Sequence, residues 1–189
     1  GLRRAFASIG VKILGVLALF PGPIAWLIAF FVVRASARSF EFEGFVSSIF
    51  ALQTWFFIGI VALLSGATCI SEDLQADAFP ILFSKPLTPA QYIAGRTLAI
   101  GTILFAFAFV PGLLLVLLFS ASAPAEIRAD SVGFLLPVLA HSVLVAGAVA
   151  GASVGLSATT RNRAVTVSLF LVLWLVPGVV AKVVHAATG

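Results

Sequence analysis

The sequence predicts an all-α membrane protein, a polytopic bundle of about five transmembrane helices whose N-terminus lies in the cytoplasm. Of the 189 residues, 61% are hydrophobic and only 10% are charged, and the mean hydropathy is +1.20. A soluble domain carries roughly a quarter of its residues as charged side chains. The apolar runs are also long and uninterrupted, which excludes a transmembrane β-barrel, because barrel strands alternate over about ten residues.

Five segments reach or approach the length of about 20 apolar residues that a helix needs to cross the hydrocarbon core. They are residues 13–33, 46–70, 97–119, 133–158 and 164–181, and most charged residues lie between them. Since the longest segment between them, residues 71–96, is too short for a separate soluble domain, we expect residues 1–189 to form a single transmembrane domain.

The basic residues predict the orientation of these spans. Seven lie on the side of the N-terminus and four on the opposite side. The positive-inside rule then places the N-terminus, residues 71–96 and residues 159–163 in the cytoplasm. The seven are Arg3, Arg4, Lys12, Lys85, Arg96, Arg161 and Arg163, and the four are Arg34, Arg38, Arg128 and Lys182.

The charge and motif content excludes several functional classes. The net charge of +4 comes from residues in short segments between apolar runs, which indicates topology control rather than nucleic-acid binding. The chain contains no G-x-x-x-x-G-K-[ST] loop, so it cannot bind ATP in the P-loop manner. No Cys/His cluster has metal-ligand spacing, and the lone Cys69 cannot form an intrachain disulfide.

The segment 71–96, called the 71–96 loop below, combines acidic and apolar residues. Three acids come directly after the second span: Glu72, Asp73 and Asp77. An apolar patch in an aqueous loop indicates a partner or the membrane surface. This patch consists of Phe79, Ile81, Leu82 and Phe83.

The second half of the loop predicts the start of a helix. Lys85 precedes Pro86 and should therefore be extended. Thr88 is the expected N-cap and Pro89 the first helical residue, and Gln91 is expected to bond back to the cap. The helix that forms the third span should thus begin about two turns before it enters the membrane.

The order of these features resembles the first cytoplasmic loop of the ABC-2 type transporter permeases, the membrane subunits of ABC transporters. That family shows an acidic turn, a Leu-rich short helix, Ser-Arg/Lys-Pro, and an aromatic-x-x-Gly-Lys/Arg end. The matching residues are Glu72 and Asp73, Ile81 and Leu82, Ser84-Lys85-Pro86, and Tyr92 with Gly95-Arg96. The motif covers the 71–96 loop, and the pattern of spans extends the resemblance over the chain.

Two features depart from the family pattern. Members often have a Gly in the acidic turn, where this chain has Ala76 and Asp77. Members also have six spans, so a sixth is expected after Pro177 and an external re-entrant segment.

The resemblance implies that the 71–96 loop is a coupling helix, which docks into a groove on a separate cytoplasmic ATPase. Phe79, Ile81, Leu82 and Phe83 would then supply the apolar contact. The rim would be formed by Glu72, Asp73, Asp77 and Lys85, beside Pro86.

The resemblance also implies the permease subunit of an ATP-driven exporter, a subunit that is not itself an enzyme. No cofactor would bind to this chain, and ATP and Mg would be held by the ABC ATPase subunits. A second permease, identical or similar, would complete the translocation path. The chain would be a multi-pass protein of the plasma membrane, the inner membrane in bacteria, in contact with lipid and with no nucleic acid.

The fourth span contains a stripe of glycines that has two interpretations. Gly151 to Gly155 match G-x-S-x-G, but that nucleophile elbow needs a strand before it and a helix after it. Gly147, Gly151 and Gly155 instead lie on one helix face, which lets another helix approach closely. We therefore expect helix packing, in this subunit or between subunits.

Two hypotheses from other classes stay open. An intramembrane serine hydrolase would use Ser153 with His185 and requires a water-filled cavity at Ser153. A passive scaffold subunit requires no ATPase. Gln53, Thr54 and His141 are polar residues within the spans, where they either line a substrate path or bond to neighbouring helices.

Overall fold

The structure, a computed structural model, describes residues 24, 27, 42–77, 79–82, 88–122 and 133–188. These residues form helices and turns, with no strand among them, and the predicted all-α fold is confirmed. Of the predicted first span only Ile24 and Leu27 are described, and both are helical. The helices are α1 (Phe42–Gln53), α2 (Gly59–Ser65), α3 (Ser71–Gln75), α4 (Phe79–Leu82), α5 (Pro89–Ser122), α6 (Leu135–Thr159) and α7 (Arg163–Thr188).

The second apolar segment differs from the single helix expected over residues 46–70. Helix α1 begins earlier, at Phe42, and passes through a π-helical turn at Thr54–Ile58 into α2. The α2 helix ends at Ser65, and the backbone N–H groups of Gly66 and Ala67 both bond to Ala62 O, at 2.7 and 2.8 Å. Residues 66–70 then form a turn that leads into α3.

Helix α5 begins as the sequence predicts. Gln91 N donates to Thr88 Oγ1 at 3.3 Å, and Thr88 N donates to Gln91 Oε1 at 3.0 Å, which confirms the reciprocal cap. The helix continues through Pro111 to Ser122. At 1.5 Å per residue it is about 50 Å long, so it exceeds the hydrocarbon core of about 30 Å and extends beyond it.

Helices α5 and α6 form the most extensive helix pair in the described part of the chain. Small side chains on one face of α6 allow this close contact. A Cβ added at Gly101 of α5 would lie 3.7 Å from Ala150 Cβ. The buried small residues of α6 are Ser142, Ala146, Ala150, Ser153 and Ser157.

Helix α7 contacts the bundle through a narrow face. Thr166 and Phe170 are buried and Trp174 is half-buried, whereas most of its other described apolar side chains are exposed. Asn162 caps the helix, since its Oδ1 accepts from Ala164 N at 2.9 Å. Exposed apolar side chains on a long helix are what a lipid-facing surface requires.

Two described helices are long and apolar enough to cross a membrane. They are Pro89–Leu118, with a mean hydropathy of 2.5, and Leu135–Thr159, with a mean hydropathy of 1.9. Two shorter apolar helical segments, Phe50–Ser65 and Arg163–Gly178, accompany them.

Candidate functional site

The beginning of the 71–96 loop is held by a side chain from a distant helix. Ile70 N and Ser71 N donate to Ser157 Oγ of α6, at 2.8 and 3.0 Å. Ser71 and Ser157 are completely buried, and Ile70 is nearly so. These two N–H groups precede the internal bonds of α3, and a buried donor left unpaired costs about 1–3 kcal/mol.

Sequence analysis did not identify Ser157 as a site residue. The sequence does contain a pattern that predicts a packing face including this residue. Small residues at helical spacing form it: Ser142, Ala146, Ala150, Ser153 and Ser157. The glycines at 147, 151 and 155 have a similar spacing, and sequence analysis selected them instead. What distinguishes Ser157 is its pair of hydrogen bonds to Ile70 N and Ser71 N, which are far away in sequence.

A half-buried polar cluster joins α3 to the first turns of α5. Asp73 Oδ2 accepts hydrogen bonds from the Tyr92 hydroxyl and from Arg96 Nη2. The Asp73 and Arg96 side chains are 23% and 28% exposed, so their ion pair is partly shielded from water. The Arg96 guanidinium also lies 5.4 Å from the centre of the Tyr92 ring. Tyr92 and Arg96 are thus the loop-closing residues of the motif, and both contact its acidic turn.

The other two acids of the loop pair with the turn between α6 and α7. Glu72 lies 3.4 Å from Arg163 Nη1, and Asp77 lies 3.8 Å from Arg161 Nη1. All four side chains are more than half exposed, so each pair contributes little to stability. The acids predicted as the rim of a docking surface therefore also make contacts within the chain.

Asp77 adopts a left-handed backbone conformation, with φ of 45°. It follows Ala76, the C-cap of α3, and so occupies the position where a helix often ends in glycine. Its backbone N–H bonds to Leu74 O at 3.4 Å. This geometry explains why a glycine in the acidic turn suits such a loop.

Phe79 is the one residue of the apolar patch whose side chain the structure describes. The Phe79 ring packs edge-on against Tyr92, with ring centres 5.7 Å apart, and is partly buried against the core. Ile81 and Leu82 are helical, but their side chains lie outside the described part of the structure. Phe83, Lys85 and Pro86 lie wholly outside the described residues.

The glycine stripe of α6 makes no contact within the described part of the chain. Gly147, Gly151 and Gly155 are exposed, and a Cβ added at any of them would meet no described atom within 4 Å. The face that packs against α5 is the opposite one. Contact between the stripe and another helix stays a prediction.

Ser153, the nucleophile of the hydrolase hypothesis, is completely buried. Its hydroxyl donates to Ala150 O of its own helix at 3.0 Å. That packing leaves no room for the water that the hypothesis requires at Ser153. The side chain of His185 lies outside the described part.

Of the three residues predicted to line a substrate path, His141 is the one whose side chain lies in the described part of the structure. His141 is exposed, and its ring centre lies 5.1 Å from that of Phe50. Gln53 and Thr54 lie at the junction of α1 and the π-helical turn, and their side chains are outside the described part. An apolar groove between α6 and α7 contains none of the three and is lined by Ala148, Val149, Ala152, Phe170, Leu173 and Trp174.

The long apolar helices, the exposed apolar faces and the polar loop held at one end of the bundle define an α-helical membrane protein. A family described as ABC-2 family transporter protein matches residues 33–189. The chain therefore belongs to the ABC-2 transporter family, as the loop motif indicates. Neither a search of curated proteins nor a search of solved structures found a match.

Proposed function

We propose that this chain, a permease subunit by its family, is the membrane-spanning subunit of an exporter, in which a separate cytoplasmic ATPase binds ATP and Mg and drives transport. The 71–96 loop is the element that receives movement from the ATPase. This chain performs no covalent chemistry.

The observation that carries the proposal is the way the loop is built. Its first end is bonded to Ser157, and its second end is the capped start of α5. Between these ends lies α4, a short helix of apolar residues. A loop held at both ends can transmit a displacement of its middle to the helices that hold it, which is what coupling requires.

The predicted docking residues have two roles in this proposal. Phe79 packs on Tyr92 and anchors the helix to the permease. Ile81, Leu82 and Phe83 are then the residues that enter the groove of the ATPase, with Lys85 and Pro86 at its edge. Glu72, Asp73 and Asp77 form the polar rim while retaining their arginine partners.

The proposed setting follows from the charge distribution. The 71–96 loop and the turn between α6 and α7 lie in the cytoplasm, because they carry four of the seven basic residues on that side. The chain is a multi-pass protein of the plasma membrane, the inner membrane if the source is bacterial. A second permease, identical or similar, completes the path across the bilayer.

Affinity purification of the tagged chain in mild detergent tests the proposal. We expect a P-loop ATPase to co-purify and the complex to hydrolyse ATP. Loss of hydrolysis after removal of Mg with a chelator, with the ATPase retained, would show that Mg is needed for hydrolysis and not for assembly. Purification without any P-loop ATPase would favour the scaffold alternative and overturn the proposal.

A further inference from the structure

The 71–96 loop is hydrogen-bonded to α6, a helix that the loop does not connect. The loop joins α2 to α5, yet its entrance is bonded to Ser157, near the end of α6. Ser157 Oγ accepts from two consecutive backbone N–H groups, and the whole contact is buried. Buried hydrogen bonds of this kind are not weakened by competing water.

Two ion pairs extend the same contact toward α7. Glu72 and Asp77 of the loop pair with Arg163 and Arg161. Both pairs are exposed and therefore weak, so they contribute little to holding the loop in its position. The buried contact at Ser157 is the stronger of the links between the loop and the α6–α7 end.

We propose that Ser157 is a positioning residue for coupling: its hydroxyl bonds the entrance of the 71–96 loop to α6, so the loop and α6 move as one body. A displacement of α4 by the ATPase then reaches α6 and α7 directly, in addition to α2 and α5. This inference rests on the proposed function of the loop. Ser157 contacts no substrate and acts through the backbone of Ile70 and Ser71.

Cys69 offers a built-in probe of this contact. It is the only cysteine of the chain, it is partly buried, and it directly precedes Ile70, whose backbone N–H is bonded to Ser157 Oγ. A change that releases the turn at residues 66–70 exposes the thiol. The rate of maleimide modification at Cys69 therefore reports whether the turn is held.

The first experiment compares Ser157→Ala with Ser153→Ala. Both residues are completely buried on α6 and lie against the turn at residues 66–70, but the Ser153 hydroxyl donates its hydrogen bond to Ala150 O of its own helix instead of holding the turn. In Ser157→Ala we expect the ATPase to co-purify, transport per ATP hydrolysed to fall severalfold, and Cys69 modification to rise about tenfold, since an unpaired buried donor shifts an equilibrium by about that factor. In Ser153→Ala we expect transport per ATP hydrolysed and the rate of Cys69 modification to stay near those of the wild type.

The outcomes separate this inference from the proposed function. If the wild-type chain binds no ATPase, the proposed function fails and the inference falls with it. If the ATPase binds and Ser157→Ala couples like the wild type, the inference alone is overturned. If Cys69 is modified faster but coupling is unchanged, the bonds to Ser157 have a structural role only. That result also overturns the inference.

A second variant keeps the test decisive if Ser157→Ala does not assemble. Ser157→Cys places a thiol beside the backbone of Ile70, the residue that follows Cys69, and copper–phenanthroline oxidises the two thiols to one disulfide, accepting two electrons while two protons are released. Because the loop and α6 move together in this account, the disulfide should leave transport per ATP near that of the wild type. Failure of the disulfide to form, or transport that is lost on oxidation and restored by reduction, would contradict the account.

Discussion

At the scale of single residues, Asp77 has a backbone conformation that does not suit its side chain. A φ of 45° brings the Cβ of an L-residue close to its own backbone, which glycine avoids. Asp tolerates this region better than most residues, and β-branched residues tolerate it least. The ion pair with Arg161 is exposed, so losing it costs little.

We predict that Asp77→Gly unfolds at the same temperature as the wild type or higher. Asp77→Val loses the same charge but keeps a branched Cβ, so it should be less stable than Asp77→Gly by about 1–3 kcal/mol. Thermal unfolding of both purified variants in one detergent measures the difference. Equal stability of the two variants would show that the left-handed turn is absent in solution.

At the scale of elements, α6 has two small-residue faces with different surroundings. Ala150 is completely buried against α5, whereas Gly151 is exposed and has open space beside it. An added side chain at the first position must displace α5, and at the second it displaces nothing in the described bundle.

We therefore predict that Ala150→Leu and Gly151→Leu have different defects, the first in the stability of the chain and the second in its association with another permease. Ala150→Leu should destabilise the permease itself by about 1–3 kcal/mol. Gly151→Leu should leave the thermal stability of the single chain unchanged but prevent close approach of a second permease. Thermal unfolding and chemical cross-linking in detergent distinguish the two. A Gly151→Leu chain that cross-links like the wild type would mean that the stripe faces lipid.

The sequence predicts local features of these elements better than distant ones. The cap at Thr88 depends on residues within one turn, and it was predicted correctly. The bond between Ser157 and the backbone of Ile70 and Ser71 joins residues 86 and 87 positions apart, and no local pattern encodes it.

The inward face of α6 and the π-helical turn were not predicted, for a related reason. In a membrane helix the lipid-facing side is apolar too, so hydrophobicity does not mark which small-residue stripe packs inward. The π-helical turn at Thr54–Ile58 is followed by a close approach of two helices, since a Cβ at Gly59 would lie 2.4 Å from Trp174 Nε1 of α7. Both the inward face of α6 and the approach at Gly59 involve contacts between helices, which the sequence does not show.

At the scale of the whole molecule, the account requires one orientation in the membrane. The 71–96 loop and the α6–α7 turn contact each other, so both must lie on one side. The first residues of α6 lie at the opposite end of a helix that is long enough to span the bilayer.

We predict that Gln75→Cys, in a Cys69→Ser background, is protected from membrane-impermeant thiol reagents in intact cells and reacts after permeabilisation. Gln75 is exposed, so protection cannot come from burial in the described structure. Gly133→Cys, also exposed and at the other end of α6, is the matched control and should react from outside. The reverse labelling pattern would invert the topology and place the loop away from any cytoplasmic ATPase.

The central claim, that the apolar residues of the 71–96 loop bind the ATPase, is tested most directly by Leu82→Asp. Burial of one such side chain is worth roughly 1.5–3 kcal/mol, and the new charge would enter an apolar groove. Lys85→Ala should be milder, because a rim charge is screened by water. Gln75→Glu adds a charge to the same loop outside α4 and serves as the control.

The measurement is the amount of ATPase that co-purifies with each variant, together with substrate-stimulated ATP hydrolysis. We predict that Leu82→Asp inserts normally but loses the ATPase or its coupling, while Gln75→Glu retains both. Wild-type binding and coupling in Leu82→Asp would contradict the account.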